Sequence, residues 1–174
     1  MRIRTVILWT IVLVVVEQVI KLIISTNYRD INFEIIPSLL EFKPVLNDKS
    51  FYWLSLMNID VGRWARMATA IILTGVLCLY YFCMRTISEK GKLIDVTFIF
   101  GFAGLLCSLC DNIFFGGSWD YVYLKPLFIF DLKDLYLNCF VILFMIFCTK
   151  NHATIKNVKI KDIVSLAKNK LKQD

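Results

Sequence analysis

The sequence predicts an all-α membrane protein of four transmembrane helices, joined by an outer loop region that holds a small β-structure or an interfacial helix. Three observations carry this prediction. The chain is 58% hydrophobic with a mean hydropathy of +0.66, where soluble domains are roughly 45–50% apolar. The apolar residues gather into four long runs that are almost free of charge. Lysines and arginines collect at the ends of those runs, as they do in membrane topologies. With only seven Gly and three Pro to interrupt the runs, disorder is excluded, and 174 residues fit one domain covering 1–174. A net charge of +6 would suggest nucleic acid in a soluble protein. Here it reads as topology, and no nucleic-acid partner is expected. Several separate apolar runs also exclude a soluble protein with a single cleaved signal peptide.

A span needs roughly 20 mostly apolar residues to cross about 30 Å of hydrocarbon. The first runs from about 5 to 24, and the second, about 67–84, carries no charge. The third, about 93–110, carries only Asp95, near its start. The fourth, about 133–149, is uncharged from Leu135 onward. Arg2 and Arg4 precede the first span. Arg85, Lys90 and Lys92 separate the second from the third, and seven lysines from Lys150 to Lys172 follow the fourth. One side thus holds 12 basic residues against four acidic ones, Glu89, Asp95, Asp162 and Asp174. That side should be cytoplasmic, with both chain ends, leaving loops 25–66 and 112–132 facing outward.

The first outer loop contains apolar stretches, Ile35 to Leu40 and Phe51 to Leu54, unlike a water-soluble linker. The tail, 150–174, places Ile160, Ile163, Val164, Ala167 and Leu171 at helical spacing. This reads either as an amphipathic helix attracted to anionic membrane lipid or as a solvated basic tail.

Ionisable residues inside spans are costly and therefore candidates for function. Glu17 and Lys21 lie four apart on the first span, on one helix face and in the favourable order. They read as a structural ion pair or, less simply, as catalytic groups. Asp111 ends the outward-travelling third span, and Asp134 opens the inward-travelling fourth. Both should lie at the same outer level and meet if those spans are neighbours. Two close carboxylates cannot easily both ionise, so one is expected to keep a proton. Such a pair can activate water and protonate a leaving amine. The alternative is a pair of solvated helix-end acids.

Other chemistries lack material. His152 is the only histidine and lies in the tail, so no histidine triad or histidine-rich metal site can be built. Cys107 and Cys110 form a Cys-x-x-Cys beside Asp111, which suggests redox or metal chemistry. Cys78, Cys83, Cys139 and Cys148 also lie in apolar spans, where cysteine behaves as a small hydrophobe.

Three short motifs, in order on the right spans, resemble the lipoprotein signal peptidase (signal peptidase II) family, of which the chain reads as a divergent member. Gly104 to Asn112, followed by Gly116 and Asp120, is similar to the family's Asn-x-x-Asp-Arg region, with its Gly five and its Asp nine positions after the first Asp. Phe130-Asp131-Leu132-Lys133-Asp134 resembles Phe-Asn-x-Ala-Asp, and Glu17-Gln18-Val19-Ile20-Lys21 resembles Asp-Gln-x-x-Lys. Asn47 matches the Asn that begins an Asn-x-Gly-Ala-Ala-Phe stretch. The resemblance implies an aspartyl endopeptidase in a bacterial cytoplasmic (inner) membrane, with its site facing outward. Its substrate would be a lipoprotein precursor, cut just before a cysteine that carries diacylglyceryl. Asp111 and Asp134 would be the dyad. Asn47, Ser108, Asn112, Asp120, Asp131, Glu17 and Lys21 would support it or bind substrate. The resemblance implies no cofactor and no metal, and a monomer can build the site.

Departures from the pattern are Ser108 and Asp131 for Asn, Asn112 for Arg, Lys133 for Ala and Glu17 for Asp. The missing Arg removes five fixed donors. Asp131 adds charge that should raise a nearby carboxyl pKa, offset by Lys125 or Lys133. The altered residues also motivate a second reading, a relative that binds lipopeptides or inhibitors without cleaving them. A third, a small transporter, follows from the charges in the membrane.

Overall fold

The computed structural model describes residues 1–48, 62–87 and 92–152. The expected helical spacing of Ile160 to Leu171 and the apolar stretch at 51–54 lie outside the described residues. The elements run α1 (Ile3–Asn27), β1 (Phe33–Ile36), β2 (Leu40–Asn47), α2 (Arg63–Ile87), α3 (Lys92–Phe114), β3 (Ser118–Leu124), β4 (Phe128–Phe130) and α4 (Leu132–Lys150). All four helices are long and apolar enough to cross a membrane, and the strands form one small antiparallel sheet.

The helices are built inside out. On α1, Leu8, Ile11, Val15, Val19 and Leu22 are exposed, while Thr10, Glu17 and Lys21 are buried. Lipid accepts the apolar face, and the polar groups need partners within the bundle. α3 packs against each of the other three helices. It approaches α4 closely through two glycines: a Cβ at Gly101 would lie 2.8 Å from the Phe140 ring and one at Gly104 2.6 Å from Leu137. Small residues at such crossings let backbones come together, which matters in lipid because apolar helices gain little by avoiding it. Val6, Tyr81, Ile94, Phe98 and Phe147 fill the end of the bundle far from the sheet. Ala103, Cys107 and Tyr136 fill the middle, with Cys107 packed as a small hydrophobe.

Two helices project past the apolar runs read from the sequence. α2 begins at Arg63, and α3 continues to Phe114. The polar extensions bind each other: Arg63 Nε donates to the Asn112 carbonyl at 2.7 Å and Arg63 Nη2 to that of Ile113 at 2.8 Å. These carbonyls end α3 and would otherwise lack intrahelical donors.

The strand order is β1-β2-β3-β4. β2 and β3 pair although α2 and α3 lie between them in the chain, placing Asn47 opposite Ser118 and Val45 opposite Asp120. The ladder shifts register between Phe42 and Val45, where Pro44 has no N–H to donate. Gly116 turns the chain out of α3 in the left-handed region, at φ +74°. Gly117 then passes so close to β2 that a Cβ would lie 2.6 Å from the Asn47 carbonyl oxygen and 2.8 Å from Asp48 Cα.

These are backbone atoms with little room to yield. Gly117→Ala should therefore destabilise the protein by about 1–3 kcal/mol. Gly75→Ala, on α2 with nothing near its Cβ position, should be neutral or stabilising by up to about 1 kcal/mol. Thermal unfolding of both variants in detergent would measure this; equal Tm values would contradict the packing account.

Candidate active site

Four elements converge where the bundle meets the sheet. α1 contributes Glu17, Gln18 and Lys21, and the last turns of α3 contribute Ser108, Asp111 and Asn112. β3 contributes Ser118 and Asp120. The start of α4 contributes Lys133 and Asp134, with Asp131 just before it. Glu17, Lys21, Asp111 and Asp131 are all fully buried.

Lys21 is the centre of the buried part. Its Nζ lies 2.5 Å from Asp111 Oδ2 and 2.5 Å from Asp131 Oδ2. It is 3.2 Å from Glu17 Oε1 and donates to Ser118 Oγ at 3.0 Å. Gln18 Nε2 donates to the other Asp111 oxygen at 2.9 Å. Glu17 in turn accepts from the Tyr121 hydroxyl at 3.2 Å. The i,i+4 pair on α1 is therefore part of a cluster, not an isolated bridge.

Lys133 is a second cation, which shares Ser118 and Asp131 with Lys21. Its Nζ donates to Ser118 Oγ at 2.6 Å and to Asp131 Oδ2 at 2.5 Å. It also lies 3.6 Å from Asp120, 3.7 Å from Asp111 and 3.9 Å from Asp134. Asp111 and Asp134 thus converge on one ammonium. Two ammonium groups, Lys21 and Lys133, stand among these carboxylates and balance part of their charge. Carboxylate oxygens of Asp120, Asp131 and Asp134 lie within 4.8 Å of one another, a spacing that can hold a metal ion. The Lys133 ammonium approaches all three and supplies positive charge there from the chain itself.

Asp131 and Asp134 also close the first turn of α4. Asp134 N donates to Asp131 Oδ1 at 3.1 Å, and Asp131 N donates to Asp134 Oδ2 at 3.3 Å. This reciprocal capping box satisfies two helix-end donors. Burial opposes the charge on Asp131, but Lys133 and Lys21 outweigh it and hold the carboxyl down at about 2. Burial pushes the Asp120 carboxyl above its usual range, against the pull of Lys133, and Asp131 adds to the rise. The offset expected from Lys125 or Lys133 comes from Lys133. Lys125 lies at the sheet, bound to Glu34 at 2.7 Å and Glu41 at 2.9 Å.

Asn47 Nδ2 donates to Asp120 Oδ2 at 3.0 Å across the β2–β3 pair. Arg66, from α2, donates through Nε to Asn112 Oδ1 at 2.9 Å and through Nη2 to the Gly116 carbonyl at 2.9 Å. Asn112 Nδ2 donates to the Ser108 carbonyl at 2.8 Å. A guanidinium therefore stands at Asn112 although α3 carries no Arg after Asp111. A cavity of about 380 Å³ opens beside these groups, with Asn47, Arg66, Ser108, Asn112, Lys133 and Asp134 in its wall. Asp134 has a 38% exposed side chain, whereas that of Asp111 is 1% exposed. Ser118 and Lys133, which line the cavity, lie against Asp111 Oδ2.

Sequence reasoning missed Gln18, Ser118, Arg63 and Arg66 as parts of this cluster. The Asp131-x-x-Asp134 spacing before an apolar run did carry a capping signal. Nothing local marked Ser118 or the two arginines, whose placement depends on the β2–β3 pairing and on helix neighbours.

Residues 9–150 match the family described as signal peptidase (SPase) II. Two solved structures similar to this chain are each described as a bacterial membrane enzyme structure obtained by the in meso method. The one at 2.3 Å resolution shares 24% sequence identity with a TM-score of 0.72, over 91% of this chain and 96% of its own. The one at 1.9 Å shares 25% with a TM-score of 0.64, over 83% and 92%. No curated protein matches the chain.

Removing one partner of a buried ion pair leaves uncompensated charge, typically at about 3–5 kcal/mol. Lys21→Met should cost that much and lower Tm accordingly. Asp131 adds a pH dependence. Its folded pKa is depressed, so its contribution is fully present above 3.8 and lost as pH falls through about 2. Asp131→Asn keeps the cap and should remove that acid-labile component; an unchanged acid unfolding curve by tryptophan fluorescence would contradict the assignment.

Proposed function

The chain belongs to the signal peptidase II family, and from that premise we propose that it cleaves the signal peptide from diacylglyceryl-modified lipoprotein precursors, with Asp111 and Asp134 as an acid–base pair. The observation that carries this reading is the convergence of those two carboxylates, from separate helices, on one ammonium beside a cavity.

In this reading the substrate backbone lies in the cavity. One carboxylate takes a proton from water, and the water oxygen attacks the carbonyl carbon preceding the lipidated cysteine. The tetrahedral intermediate collapses as the C–N bond breaks, and the carboxyl returns the proton to the leaving amine. Asn112, held by Arg66 and donating to the Ser108 carbonyl, offers polar atoms along the cavity wall together with Ser108. Asn47 orients Asp120. The apolar outer faces of the helices fit residence in a bacterial inner membrane, and the distribution of basic residues supports an outward-facing site with both termini cytoplasmic. Every group named comes from one chain, which supports action as a monomer.

One observation favours a second reading, a relative that binds lipopeptides without cutting them. Asp111 is enclosed, with Lys21 and Ser118 on one oxygen and Gln18 on the other.

Purified protein incubated with a diacylglyceryl-modified lipobox peptide separates the two. Cleavage is expected, and Asp111→Asn or Asp134→Asn should reduce it by about 10²–10⁴-fold while the protein stays folded. Binding without product would support the second reading, and cleavage that survives both substitutions would remove the dyad.

A further inference from the structure

Lys133 is the one side chain among the described residues whose charged atom lies within 4 Å of four aspartates, Asp111, Asp120, Asp131 and Asp134. It also forms part of the cavity wall, whereas Lys21, the other cation of the cluster, is fully buried. An ammonium has three N–H donors. Two have close partners, Ser118 Oγ at 2.6 Å and Asp131 Oδ2 at 2.5 Å. The third has no such partner: the remaining carboxylates stand at 3.6–3.9 Å, beyond hydrogen-bond length. Lys133 therefore holds one donor in reserve on an ammonium that lies 3.7 Å from Asp111 and 3.9 Å from Asp134, the carboxylates proposed as the dyad. Its side chain is pinned by the other two bonds and by its place in the first turn of α4.

We propose that Lys133 stabilises the oxyanion that forms on the scissile carbonyl oxygen, so that this chain uses a fixed ammonium as its electrophile. This deepens the reading of Asp111 and Asp134 as the acid–base pair and rests on it. The charge balance closes without further groups. Water gives a proton to a carboxylate, and its oxygen bonds to the carbonyl carbon. The carbonyl π pair moves to oxygen, where the free N–H of Lys133 meets it. When the C–N bond breaks, that pair returns to the carbonyl and the carboxyl proton goes to the departing amine. Lys133 stays protonated throughout. A preorganised donor in a water-poor site needs no reorganisation as charge develops. The ligand pattern also follows from charge. Without an accessible cation, a cavity edged by Asp120 and Asp134 would repel an anion.

The test is steady-state cleavage of the lipobox peptide by wild type, Asp111→Asn, Asp134→Asn, Lys133→Met and Lys133→Arg. Lys133→Met should lower kcat by about 10²–10³-fold with KM within about twofold, and Lys133→Arg should recover part of the loss. Unchanged or increased kcat in Lys133→Met, with the aspartate variants inactive, overturns the proposal and leaves the dyad standing. Activity in both aspartate variants overturns the dyad and the proposal with it, as does a wild type that does not cleave. A measurement on wild type alone guards against misfolded variants. A lipobox peptide with a phosphinate at the scissile position should inhibit at least tenfold more tightly than its neutral secondary-alcohol analogue. Equal or weaker inhibition by the phosphinate overturns the proposal.

Discussion

The Lys21 ammonium sits with no exposed surface among Asp111, Asp131, Glu17 and Ser118, and the arrangement of the whole sheet end follows from keeping it there. Withdrawing an ion from water costs several kcal/mol, and the cost is offset only when nearly every donor finds a good acceptor. Those acceptors lie on α3, on β3 and just before α4. Lys21 therefore draws three separate chain segments onto one face of α1. Apolar packing alone would not select this arrangement, because in lipid the helices lose little by sliding apart. A comparable tie holds the far end: buried Asp95 accepts from the Tyr81 hydroxyl at 2.7 Å and lies 3.9 Å from Arg85, joining α2 to α3.

The start of α4 shows how one short stretch serves two demands. Its first-turn carboxylate, Asp134, meets a backbone N–H and sits at the positive end of the helix dipole, where negative charge is favoured. The same side chain remains more than a third exposed, at the cavity. Asp131, its partner in the cap, turns its other oxygen inward to both lysines. Fold and site thus share atoms, and the position of Asp134 is set by local helix geometry instead of by a flexible loop.

The four helices were legible because span length and charge placement are local, additive properties of the chain. The common level of Asp111 and Asp134 was legible from topology, since alternate spans must return to the same side. The family resemblance added Asn47 and Asp120, which the structure joins by a hydrogen bond. What escaped was long-range. Ser118 enters the cluster because β3 pairs with β2, a pairing made across two helices and shaped by Gly116 and Gly117. Lys125 and Lys133 looked equivalent as counter-charges. The register that sets Leu124 opposite Leu40 carries Lys125 to Glu34 and Glu41, while the first turn of α4 carries Lys133 inward. Arg66 supplies a guanidinium to Asn112 from a different helix, so reading α3 alone registers only a loss.

The Glu17–Lys21 spacing has a further consequence during biogenesis. α1 precedes the other helices in the chain, so its lysine is synthesised before Asp111 or Asp131. A lone Lys costs about 2.5–3.5 kcal/mol at a helix centre on insertion scales and less towards a helix end, where Lys21 stands. One turn away, Glu17 offers an internal counter-ion, still 3.2 Å from Nζ in the finished bundle. The i,i+4 pair places opposite charges side by side on α1 itself. Arrival of α3 and α4 then gives Lys21 two closer carboxylates, at 2.5 Å each. Of the carboxylates around Lys21, Glu17 alone needs no tertiary contact to reach it.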